Sequence, residues 1–314
     1  FVSSLFIYSV GGAGCGFGDI NNDQKIDIVS MVSSDSISIY LNTVNSPGDS
    51  VSFIKSNGLR VSGILDKCLI TDLNADGKND IAFTTRHNST FSTAINTTNP
   101  ESNYLTFSNQ NIHGTDGYNS IVASDLNNDG KIDIACSDPG NSRIVIYTNS
   151  TSVFDTVAHF LPASQQNSDT GPFGIAATDF DGDGKSDLIT ASAGGGMHSV
   201  VIHLNKTEIN STNPAFLPQI IYSLNDGFPN SVDIADINVD GSLDIISTKL
   251  EANEVSVLLG RDITQNVFLT YPTNGATNIS VTPRLGWLPV YSSQFYIIQI
   301  STDPLFSVLC LDTI

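Results

Sequence analysis

A nine-residue acidic loop returns five times along this chain at an almost constant interval, and that periodicity constrains the fold more than any other feature. The copies are DINNDQKID (Asp19 to Asp27), DLNADGKND (Asp72 to Asp80), DLNNDGKID (Asp125 to Asp133), DFDGDGKSD (Asp179 to Asp187) and DINVDGSLD (Asp236 to Asp244). Their first aspartates lie 53, 53, 54 and 57 residues apart. Such a period marks a repeat architecture, in which each unit buries its apolar surface against its neighbours.

Oxygen-bearing residues at alternate positions around a glycine suit a hard cation of flexible coordination, and Ca²⁺ takes roughly six to eight oxygens. The predicted ligands of the first loop are the side chains of Asp19, Asn21, Asp23 and Asp27 with the backbone carbonyl of Lys25. The matching sets are Asp72, Asn74, Asp76, Lys78 and Asp80, then Asp125, Asn127, Asp129, Lys131 and Asp133. Asp179, Asp181, Asp183, Lys185 and Asp187 form the fourth, and Asp236, Asn238, Asp240, Ser242 and Asp244 the fifth. Up to five structural Ca²⁺ ions are expected. The slot held by Gly77, Gly130, Gly184 and Gly241 requires a tight turn at φ > 0. Gln24 fills it in the first copy, at a cost on the order of 1 kcal/mol, so the first site is predicted to be the weakest. An ammonium cannot ligate a cation, so Lys78 is expected to point into solvent. An EF-hand is excluded: its twelfth position needs a bidentate Glu, and here holds Ser30, Phe83, Cys136, Thr190 or Ser247.

The chain has 314 residues, with 32 acidic against 13 basic and a net charge of −19. Sixteen of the acids are loop aspartates. Close-packed carboxylates repel unless a cation neutralises them, so bound metal accounts for most of the acidity. No basic patch is present, which argues against nucleic-acid binding. No run of 18 apolar residues exists, so no membrane span is expected in this segment. The chain starts at Phe1 without a visible signal peptide and reads as a piece of a longer protein, whose other domains are expected partners. Cys15 and Cys68 fall at aligned apolar positions four residues before a loop and are predicted to be small buried hydrophobes. Cys136 lies within the third repeat and Cys310 beyond the repeats. No C-x-x-C occurs, and neither a zinc site nor a disulfide framework is expected.

Each unit carries four strand signals around its loop. In the third, SIVAS (Ser120 to Ser124) enters the loop, IDIAC (Ile132 to Cys136) leaves it, RIVIY (Arg143 to Tyr147) follows a turn, and VFDTVAHF (Val153 to Phe160) gives a weaker fourth run. The third strand ends at Asn42, Asn96, Asn149, Asn205 or Gly260. Four antiparallel strands per repeat of this length indicate an all-β fold of propeller blades. Leu5 to Val10 reads as the outer strand of a blade whose beginning is missing or lies elsewhere; if it completes the last blade the ring closes with five, and the preferred expectation is an intact ring of seven.

The D-x-[DN]-x-[DN]-G-x-x-D loop in blade-length repeats, with Phe17-Gly18 or Gly171-Pro172-Phe173-Gly174 upstream, resembles the FG-GAP/VCBS repeat family over residues 1–266. The resemblance implies a calcium-bearing β-propeller, with the ligands named above, related to that of integrin α-chains. The Gly-Ala-Pro element of the family name is absent, and the version is closer to those of secreted bacterial and fungal proteins. An extracellular location follows, with a role in adhesion or in binding a glycan or protein. Residues 267–314 change period and are punctuated by Pro272, Pro283, Pro289 and Pro304. They resemble the start of a fibronectin-III/immunoglobulin-like sandwich, with Trp287 in its core and Tyr296, Ile298 and Ile300 facing inward. A sandwich needs about 100 residues, so this one is truncated.

No G-x-S-x-G, H-E-x-x-H or phosphate loop is present, and no enzyme activity is expected. His203 reads as a structural histidine, and Asp233 as a solvated acid facing a central channel. The alternative is the scaffold of a secreted carbohydrate-active hydrolase or lyase, using loops such as Gly114 to Asn119 or Gly194 to His198. Clustering of His87, His198 or Asp233 would favour it. Sequons at Asn88, Asn96, Asn149, Asn205, Asn210 and Asn278 permit N-glycosylation in a eukaryote.

Overall fold

The computed structural model describes residues 14–33, 36–46, 50–61, 64–86, 90–99, 104–108, 110–114, 117–194, 196, 198–209, 211–224, 227–250 and 253–260. Beyond these it describes 269–271, 286–287, 298–301 and 309–313. The predictions for Leu5 to Val10, His87, Asn88, Asn210 and Asn278, and for the prolines and Tyr296 of the C-terminal segment, lie outside the described residues.

The described residues are all strand, turn and loop, and those up to Gly260 are arranged as five antiparallel sheets in chain order. The first contains β1 (Cys15–Gly18), β2 (Asp27–Ser33), β3 (Ser36–Asn42), β4 (Phe53–Lys55) and β5 (Leu59–Arg60). The second contains β6 (Ile64–Thr71), β7 (Asp80–Arg86), β8 (Phe91–Ala94) and β9 (Asn111–His113). The third contains β10 (Ser120–Ser124), β11 (Asp133–Asp138), β12 (Arg143–Tyr147) and β13 (Ser164–Asn167). The fourth contains β14 (Pro172–Thr178), β15 (Asp187–Ser192), β16 (Ser199–His203) and β17 (Ile220–Ser223). The fifth has three described strands, β18 (Pro229–Ala235), β19 (Asp244–Lys249) and β20 (Glu254–Leu258). Each sheet is a meander with its acidic loop between the first two strands, as a propeller blade requires.

The fourth strand differs from the expected one. Val153 to Phe160 is mostly turn, and Phe160 alone bridges Asn149. The strand resumes four residues later as β13. Phe107 and Phe216 make the same single bridge to Asn96 and Asn205, and Phe53 pairs with Asn42 in the first blade. The outer strand is thus split in each of these four blades, and the Asn–Phe spacing of eleven residues is its sequence signature.

Side chains on a strand alternate between its two faces, so each inner strand serves two interfaces. Cys68 packs with Ile20, Val29 and Ile37 of the preceding blade, while Leu69 packs with Ile121 and Ile134 of the following one. Ile175 and Val232 repeat the first role, and Val122 and Ala176 the second. Full burial of an aliphatic or aromatic side chain contributes about 1.5–3 kcal/mol, and such clusters hold successive blades together. Cys15 corrects the alignment. It occupies the position of Cys68 yet is exposed, and Phe17 beside it is 61% exposed. Their face is the one that meets a preceding blade, and among the described residues no sheet precedes β1. Asp233, which aligns with Leu69, Val122 and Ala176, is exposed on β18 and accepts from Ile234 N at 2.9 Å. Val255, Val257 and the adjacent Leu259 are exposed on the same blade. Cys136 is fully buried among Ile121, Ile134 and Val145.

Residues 261–314, with 239–242, form a separate compact unit. Its described strands after the repeats are β21 (Leu269–Tyr271) paired with β22 (Gly286–Trp287), and β23 (Ile298–Ser301) paired with β24 (Leu309–Thr313), both antiparallel.

Candidate metal centres

Each loop begins on the residue after the inner strand, and its last aspartate opens the second strand. Two positions per loop have positive φ. The sixth is the anticipated one: Gly77, Gly130, Gly184 and Gly241 stand at φ 85°, 85°, 87° and 89°, with Gln24 at 67°. The fourth escaped the sequence reading. Asn22, Ala75, Asn128, Gly182 and Val239 stand at 60°, 53°, 56°, 79° and 59°. Gly182, Asn22 and Asn128 hinted at it, because glycine and asparagine tolerate that region, whereas Ala75 and Val239 gave no signal.

The turned backbone aims its N–H groups at the loop's own acids. In the second loop Gly77 N donates to Asp72 Oδ2 at 2.8 Å, Asp76 N to Asn74 Oδ1 at 3.2 Å and Lys78 N to Asp76 Oδ1 at 2.9 Å. The third loop repeats these bonds at 2.9, 3.2 and 2.9 Å. Donation from backbone amides fixes the carboxylate rotamers. In the fifth loop Ser242 N donates to Asp240 Oδ1 at 2.8 Å.

The last aspartate has a second function. Asp27, Asp80, Asp133, Asp187 and Asp244 are all fully buried. Asp80 accepts from Leu73 N at 2.8 Å and from Asn96 N at 2.7 Å, tying the start of the loop to the end of the third strand. Asp133 and Asp187 do the same with Leu126 and Asn149, and with Phe180 and Asn205. Burial pushes their carboxyls up, against the lowering by those two amide donors: Asp80 to about 7, and Asp133 and Asp187 to about 6. Asp27 is raised by the same cause. A carboxylate kept buried and short of compensating charge is suited to a cation.

The third ligand position shows why asparagine is common there. Asn74 Nδ2 donates to Asp155 O at 2.8 Å and Asn127 Nδ2 to Ser211 O at 3.1 Å, so the amide joins its loop to the next blade. A carboxylate lacks that donor. The lysines depart from expectation. Lys78, Lys25 and Lys185 fold back to within 3.5, 3.4 and 3.0 Å of Asp76, Asp23 and Asp183, where the acids attract the ammonium. Lys131 instead donates to Thr151 O at 3.0 Å.

In the fourth loop, carboxylate oxygens of Asp179, Asp181 and Asp187 lie within 4.8 Å of one another, close enough to share one ion. The donors are oxygens throughout, several of them charged, and the set fits a hard divalent cation such as Ca²⁺. Three consecutive matches to the FG-GAP-like repeat cover residues 72–136, 125–190 and 179–247, together more than half of the chain.

The chain belongs to the FG-GAP-like repeat family. The matched FG-GAP segment contains loops two to five, while the first loop, with Gln24 in the glycine slot, lies before it. No curated protein matches the chain.

Of the histidines and acids weighed as catalytic candidates, His87 lies outside the described residues. His203 is fully buried in β16, with its Nε2 3.4 Å from Ser168 Oγ, and burial lowers it to about 4. His198 precedes that strand, and Asp233 is exposed on β18. The Gly194 backbone closes a turn on Thr170, donating to its carbonyl at 2.7 Å and accepting from its hydroxyl at 2.7 Å. Cys68 and Cys136 are not poised nucleophiles, since burial pushes the Cys68 thiol up to about 12 and raises Cys136 as well.

Proposed function

We propose that this chain is a non-enzymatic, calcium-stabilised propeller module of an extracellular protein, which binds a glycan or protein ligand through loops on its blades. The observation that carries the reading is the last aspartate of each loop: buried, hydrogen-bonded on both oxygens in several blades, and joined in the fourth loop by two further carboxylates. Asp179, Asp181, Asp183 and Asp187, with their counterparts, would hold the ions. Bound Ca²⁺ would supply charge neutralisation and cross-linking of strand ends, and no reaction step. An exterior setting would suit the reading, because calcium modules there work at about 10⁻⁴–10⁻³ M Ca²⁺. FG-GAP repeats are typical of such proteins, and no described helix is long and apolar enough to cross a membrane.

A ligand that binds only the folded chain stabilises it by mass action. Millimolar Ca²⁺ should therefore raise the melting midpoint of the metal-stripped protein by several degrees, and chelator should reverse the gain. A midpoint indifferent to Ca²⁺ would sink the reading. For the ligand, a panel of glycans and matrix proteins should contain at least one Ca²⁺-dependent binder.

A further inference from the structure

The third strands end in residues that reach two metal loops at once. Asn149 Nδ2 donates to Leu73 O in the second loop at 2.8 Å and to Ile132 O in the third at 2.9 Å. Its backbone N donates to Asp133 Oδ1 at 2.8 Å. Leu73 in turn donates its N–H to Asp80 Oδ2 at 2.8 Å. A continuous hydrogen-bonded relay thus runs from the last acid of one loop, Asp80, through Leu73 and Asn149, to the last acid of the next, Asp133. Asn96 builds the same relay between Asp27 and Asp80 through Ile20, with bonds of 2.9, 2.9 and 2.7 Å. Asn205 builds it between Asp133 and Asp187 through Leu126, at 3.0, 2.9 and 2.7 Å. The three asparagines are 1%, 2% and 4% exposed, so water does not compete for these bonds.

At the next junction the relay is interrupted. Phe180 N reaches Asp187 and Gly260 N reaches Asp244, but Gly260 has no side chain to join them. Among the described residues, Asn42 has its own-loop arm alone, donating to Ile26 O at 3.2 Å.

We propose that Asn96, Asn149 and Asn205 are positioning residues that couple neighbouring cation sites, so that loops one to four fill as a linked array while loop five fills independently. The proposal rests on the calcium reading above. Its physical basis is reciprocal. A cation on Asp80 fixes that carboxylate and hence Leu73 O. Leu73 O then holds Asn149 where its backbone N–H orients Asp133 for the next ion. Coupling between sites in proteins is commonly 5–150-fold in affinity, and a physical path requires a coupling measurement to establish it.

The experiment is a calorimetric Ca²⁺ titration of the metal-stripped full chain and of two variants, with thermal melts in parallel. Asn149→Ala should split the linked phase and weaken at least one site about tenfold. Gly260→Asn, which supplies the missing amide opposite Phe180 O, should draw the fifth site into the linked phase and tighten it by a similar factor. Isotherms of folded Asn149→Ala and Gly260→Asn that both superimpose on the parent overturn the proposal. Should Asn149→Ala fail to fold, Gly260→Asn alone decides, and an unchanged isotherm then overturns it. A parent chain that binds no Ca²⁺ removes the calcium reading itself, a result distinct from loss of coupling.

Discussion

Stripping the metal should make this protein sensitive to pH in a direction opposite to that of most acid-bearing domains. Asp80 stands at about 7 and Asp133 and Asp187 at about 6, all raised from 3.8 chiefly by burial. A carboxyl whose folded value exceeds its unfolded value binds its proton more tightly in the native state. Stability is then intact below about pH 4 and is lost as pH rises through the window to about 7. At about 1.4 kcal/mol per tenfold change in proton affinity, Asp80 accounts for about 4 kcal/mol and the other two for about 3 kcal/mol each. Together that is on the order of 10 kcal/mol, an upper bound, since water entering the loops relieves part of it; it compares with total domain stabilities of about 5–15 kcal/mol. Denaturant melts of chelex-treated protein from pH 4 to 8, at fixed ionic strength, should show the midpoint falling steadily. Millimolar Ca²⁺, by binding the ionised form, should abolish the fall. Metal-free protein as stable at pH 8 as at pH 5 would refute the reasoning.

Two further outcomes are expected. Gly77→Ala should cost about 1 kcal/mol in chemical denaturation, because φ is 85° while nothing lies within 4 Å of the new methyl group; the penalty is one of backbone conformation alone. Produced in a glycosylating host, the folded protein should carry no sugar on Asn96, Asn149 or Asn205, since their amides are buried and both arms are engaged; peptide mass spectrometry showing glycan there on folded material would contradict the structure.

The repeat, the strand–loop–strand grammar and the glycine slot were legible because each rests on short-range chemistry: alternation, turn geometry and ligand spacing. What escaped depends on neighbours far along the chain. Cys15 looks like Cys68 within its own strand, and only the presence of a preceding blade separates a core thiol from an exposed one. Lys78 was expected to reach for solvent, yet the nearest strong field is that of Asp76 in its own loop. The sequons at Asn96, Asn149 and Asn205 are a structural motif instead. Thr98, Thr151 and Thr207 donate their backbone N–H to the asparagine Oδ1, and their hydroxyls accept from Thr106, His159 and Ala215 of the outer strand. The N-x-T spacing suits both glycosylation and this double turn, and burial alone tells them apart.

The five loops contain two kinds of aspartate, and the difference decides what a substitution can teach. Asp76 and Asp129 accept hydrogen bonds from their own loops. Replacing either one probes the ion while leaving the strand ends tied. Asp80 and Asp133 are at once ligand candidates and buckles between three chain segments, so their loss would unmake the blade whether or not metal was bound. A mutational survey of this family that treats all loop acids alike would therefore mistake a broken fold for a lost ion.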